Sequence, residues 1–77
     1  MGITEDLADQ LAQDVLEAAE IMGEERLPED IAKLLAASSQ TAEEAFLTAI
    51  RVRRANKQAR EVLAGKLKAF EAKLASS

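Results

Sequence analysis

Apolar residues recur along this chain at spacings of three and four, and no window alternates in the way of a half-buried strand. That period belongs to the α-helix, whose residues step about 100° round the axis. In the first third, Ile3, Leu7, Leu11, Val15, Ala18 and Met22 form a stripe, with Ala8, Ala12, Ala19 and Ile21 beside it. Asp6, Asp9, Gln13, Glu17 and Glu20 fill the opposite half of the wheel. Thr4 suits the N-cap, Asp6 suits the first turn, and Gly23 suits the left-handed position that ends many helices. A helix over about 4–22 follows.

Pro28 fits the first position of a second helix, where its missing N–H costs nothing, and Glu29 and Asp30 favour the positive end of the helix dipole. Ile31, Leu34 and Leu35 supply its apolar face. The segment runs to about residue 37, where Ser38-Ser39-Gln40 brings side chains that compete for backbone hydrogen bonds. Thr41-Ala42-Glu43-Glu44 reads as a capping box, with Thr41 as the cap and Glu44 reaching back. From Ala42 to Ala75 there is no proline and a single glycine, Gly65. Alanine and straight-chain residues dominate there, so propensity predicts one uninterrupted third helix over about 41–75, on the order of 50 Å long.

The expected fold class is therefore all-α. Residues 1–77 form a single domain, a three-helix hairpin-like arrangement whose C-terminal helix outruns the other two and completes its cover in an oligomeric helical bundle. The third helix carries the argument for association. Phe46, Ala49, Arg53, Asn56, Arg60, Leu63, Leu67, Phe70 and Leu74 keep the 3–4 spacing throughout, yet both ends of the row are apolar and the middle is not. Phe46, Leu47 and Ile50 also centre on a different wheel angle from Leu63, Leu67, Phe70 and Leu74. The first half is expected to close a core with the first two helices, and the second half to meet another subunit or a partner. Leu63, Leu67, Phe70 and Leu74 are the expected protein interface.

Composition sharpens this. Twenty large aliphatic, Phe or internal Met side chains and sixteen alanines must build the core of a 77-residue chain without a cysteine to staple it. Chains this short commonly gain stability by oligomerising. With no cysteine, no stretch of 18 apolar residues and no apolar run behind a basic N-terminal stretch, the expectation is a cytoplasmic protein with no membrane partner. Met1-Gly2 lacks the hydroxyl residue expected at position 6 for myristoylation, which is Asp6.

Histidine, cysteine, tyrosine and tryptophan are all absent, which leaves only carboxylates, lysines and hydroxyls for acid–base or nucleophilic work. The acids fall on solvent faces and helix starts, so no enzyme activity and no cofactor is expected. Metal binding is not expected either. Di-iron bundles need Glu-x-x-His pairs, and Gly23–Asp30 carries acids without the order of an EF-hand loop.

The net charge of −4 is unevenly spread: residues 1–30 carry ten acids and one base, Arg26, whereas residues 31–77 carry nine bases and four acids. Arg51-Val52-Arg53-Arg54-Ala55-Asn56-Lys57-Gln58-Ala59-Arg60 holds five bases and no acid. Such a run suits phosphates, but the favoured expectation is that it pairs internally, with the acid face of the first helix, Asp14 and Glu17 among its candidates, or with Glu43, Glu44 and Glu61. No aromatic residue interleaves with the bases to stack on single strands.

One local stretch, Asp30 to Leu47, resembles a helix-turn-helix. Ala32 stands where the motif wants a small residue at the helix crossing, Ile31, Leu35, Ala42 and Ala45 stand where it wants apolar ones, and Ser38 stands near the end of the turn. The stretch departs from the motif at Ala36, where glycine is usual, and at Glu43 and Glu44, which the resemblance would turn toward phosphates. The resemblance implies DNA contact by Gln40 with its neighbours Ser39 and Thr41, and backbone contact by Arg51, Arg53 and Arg54, with Arg60 further along the same basic run. The leading expectation is nonetheless a non-catalytic interaction or regulatory module that binds a protein partner or itself through apolar helix faces. A small DNA-binding regulator using residues 31–54 is the alternative.

Overall fold

The computed structural model describes residues 2–76. It is all-helical: α1 spans Ile3–Met22, α2 spans Leu27–Ser38 and α3 spans Gln40–Ala75. α1 and α3 point the same way and α2 returns between them. Thr4 and Leu7 share a groove with Ser39 and Thr41, whereas Glu17 and Glu20 share one with Arg54 and Lys57.

Gly23 ends α1 as expected, at φ 67° and ψ 28°. Glu24 N–H donates to the Ala19 carbonyl at 2.9 Å and Gly23 N–H to the Glu20 carbonyl at 3.4 Å, the paired bonds of a Schellman turn. α2 begins one residue earlier than expected, at Leu27, so Pro28 is its second residue, still within the turn whose N–H groups have no helical partner. Two caps differ from expectation. α1 starts one residue before Thr4, and its free end is closed by the Glu5 carboxylate accepting Gly2 N–H at 3.1 Å. At α3 the cap is Ser39, not Thr41. Its extended backbone (φ −159°, ψ 113°) lets Oγ accept Ala42 N–H at 3.1 Å, so Ser39 is the one non-helical residue between α2 and α3. Glu44 is left to accept a 3.5 Å bond from Gln40 Nε2.

The core is small. Ala8, Ala12 and Val15 of α1, Ala32 of α2, and Phe46 and Ile50 of α3 form one buried cluster, and Phe46 is completely enclosed. The alanines let α1 and α2 come close to α3, and Phe46 fills the space between them, as close packing requires. This rotates the buried face of α1 away from the expected stripe. Ala8, Ala12 and Val15 lie inside, Leu11 and Leu16 pack partly against them, and Ile3, Leu7, Ile21 and Met22 stay exposed. On α2, likewise, Pro28 and Ala32 are buried and Leu34 is not. In both helices the small residues mark the line of closest approach, and the larger ones remain at the rim.

Candidate functional site

α3 has 36 residues, about 54 Å at 1.5 Å each, against 20 in α1 and 12 in α2. Its neighbours cover only the first half. Buried or half-buried positions occur up to Arg53, and every described residue from 54 to 76 is exposed. The second half is a bare helical arm. Leu63, Leu67, Phe70 and Leu74 lie along it at 57%, 53%, 59% and 60% exposure.

Spacings of four, three and four put these side chains within about 60° of one another on the wheel, so they form one ridge rather than a scatter. Val52, 61% exposed, lies on the same side nearer the body, and Val62 lies off the ridge. Val52 shares its groove with Asp9 of α1 and with Asn56, Arg60 and Ala64 of α3. Sequence reasoning did not single out Val52, although it lies only one position before Arg53 in the 3–4 row.

Of the residues expected to meet nucleic acid, Arg53 shares one groove with Arg60 and another with Arg54, whereas Arg51 and Gln40 line neither. Arg53 forms a two-pronged ion pair with Asp9, with Nε to Oδ1 at 2.7 Å and Nη2 to Oδ2 at 2.8 Å, and Nη2 also reaches Gln13 Oε1 at 3.4 Å. The hydrogen bonds from Arg53 hold the Asp9 carboxyl below its ordinary range, desolvation opposes the shift, and the guanidinium charge adds to it. The Arg53 guanidinium is raised in turn, chiefly by the same hydrogen bonds. The acid of α1 that pairs with the basic run is thus Asp9, rather than Asp14 or Glu17, which the sequence put first among the acids of that helix. Arg60 Nε donates to Asn56 Oδ1 at 2.9 Å, one turn back on its own helix. Arg51 and Arg54 are exposed, but Arg51 lies about 160° round the helix from Arg53. Arg54 and Lys57 share a groove with Glu17, Glu20 and Glu25. Gln40 is exposed and bonded to Glu44.

The helix-turn-helix likeness is partial as well. α2 and α3 adjoin, but one residue separates them where the motif uses a turn of three or four, and Ala36 is helical. Among the described residues no cluster of three acidic side chains converges as a metal ion would need, and no helix is long and apolar enough to cross a membrane. Compared with known protein families, with curated proteins and with solved structures, the chain matches none.

Proposed function

We propose that this protein is a non-catalytic helical interaction module, and that the arm of α3 is the part it offers to a protein partner. One observation carries the reading: three large apolar side chains, Leu63, Leu67 and Phe70, lie in one row and more than half exposed on a helix that projects beyond its own core. An exposed apolar row with charged neighbours is the ordinary signature of a surface that is covered in use. The body formed by α1, α2 and the first half of α3 then acts as an acidic head that fixes the arm's base.

The DNA-binding alternative draws less support. Arg53 is held by Asp9, Arg51 and Arg53 face different ways, and Arg54 and Lys57 lie beside acids of α1. The test is association of the intact protein, measured with itself by sedimentation and with other proteins by affinity capture from its native lysate after nuclease treatment. Leu67→Asp should abolish association in both assays while the helical circular dichroism is kept. Associations that survive Leu67→Asp, or capture that vanishes with nuclease alone, would overturn the reading.

A further inference from the structure

The arm's flanking charges say what covers it. We infer that the occupant is the arm of a second copy of this chain, aligned in parallel. This rests on the reading of the arm as an interaction face and adds the partner and its direction.

The row Arg60, Leu63, Leu67, Phe70 keeps the alternating three-and-four step of a coiled-coil seam, with Arg60 and Leu67 in the first apolar position of the heptad and Leu63 and Phe70 in the second. A helix of 3.6 residues per turn holds such a seam against a twin by a left-handed supercoil. The positions bordering the seam are Ala59, Ala64, Lys66, Glu71 and Lys73. The two alanines let the helices approach. In a parallel pair, each border residue meets the one five positions on in the other chain, which sets Lys66 opposite Glu71 of the second copy, twice by symmetry.

Antiparallel overlap of the same apolar residues sets Lys66 against Lys73 of the second copy, like charge against like, again twice. Sliding that overlap by one heptad puts Arg60 into the seam against Phe70. From Leu63 onward, the parallel alignment is thus the one in which the apolar layers and the bordering charges agree. It also has a natural end. Arg60 would face its own copy in the next layer toward the body, and beyond it Arg53 is occupied by Asp9, so the two bodies part where the arms stop pairing.

No charged residue stands three or four positions from Lys66, so Lys66→Glu leaves the helix's own pairs unaltered, and its sign reads the direction of pairing. Sedimentation of the full chain at low salt should show a dimer. Lys66→Glu should weaken it about tenfold in Kd, from two pairs turned to repulsions. The double change Lys66→Glu with Glu71→Lys should restore most of the loss. A chain that stays monomeric at millimolar concentration overturns the second copy as occupant, while Leu67-dependent capture of another protein would still uphold the interaction face. A dimer that Lys66→Glu strengthens is antiparallel, and a dimer indifferent to both Lys66→Glu and Leu67→Asp does not use the arm. Either result overturns the inference.

Discussion

Phe46 and Leu63 occur on one helix, yet they answer to different physics. Phe46 is fully enclosed in a core whose other members are three alanines, Val15 and Ile50, too small to fill its place, and Leu63 is 57% exposed. Phe46→Ala should cost about 3–5 kcal/mol, a large share of the stability of about 4–12 kcal/mol normal for a chain this size. Urea unfolding should show a midpoint well below that of the natural chain, with the slope unchanged. Leu63→Ala, measured in dilute solution, should shift unfolding by less than about 0.5 kcal/mol. The ion pair between Asp9 and Arg53 has a pH signature. The folded Asp9 carboxyl titrates below the unfolded value of about 3.9. The pair's contribution is therefore complete above that value and is lost as pH falls through the lowered folded one. Asp9→Asn should be less stable than the natural chain at neutral pH and converge with it in acid once the folded carboxyl is itself protonated, as followed by thermal melts across that range. Added salt should shrink the neutral-pH difference, since both groups are partly in solvent.

At the scale of elements, the strongest punctuation was legible. Gly23, Pro28 and the long proline-free run each mark what they are read to mark, and each helix end lies within one residue of its expected place. The caps were less legible because two candidates compete. Ser39 and Thr41 both precede a residue able to donate an N–H three positions on, and the extended backbone of Ser39, against the helical one of Thr41, decides between them. The burial of α1 misled for a related reason: hydropathy ranks Ile3 and Leu7 above Ala8 and Ala12, while close helix contact favours the smaller side chains. The bare arm was legible as a change in wheel angle along α3, whereas the Asp9–Arg53 pair depends on how α1 crosses α3, which no local pattern records. Gly65 offers a test of the arm itself. Nothing lies within 4 Å of where its Cβ would stand, and it is helical and exposed. Gly65→Ala should raise local helix stability by about 0.5–1 kcal/mol. Slower amide exchange across 58–75, with unchanged exchange around Phe46, would report it.

The whole molecule measures 60 × 31 × 13 Å with a radius of gyration of 16.9 Å, against about 11–12 Å for a compact globule of the same length. The excess is the arm. Acidic residues crowd the N-terminal part and bases the C-terminal part, so long-range attraction favours folding the arm back, while the continuous helix of α3 resists it. Breaking that helix in its middle would lose several backbone hydrogen bonds at once, each worth about 0.5–1.5 kcal/mol net, so the rod should persist. Small-angle scattering at high dilution should give a radius of gyration close to 16.9 Å, and a value near 12 Å would mean that the arm has folded back over the core. Raising the concentration then separates the two modes of pairing. Parallel arms place both bodies at one end, so the longest dimension should stay near 60 Å. Antiparallel arms share only about 18 residues, or about 27 Å of helix, and would stretch the particle to about 90 Å. The particle should thicken on association without lengthening.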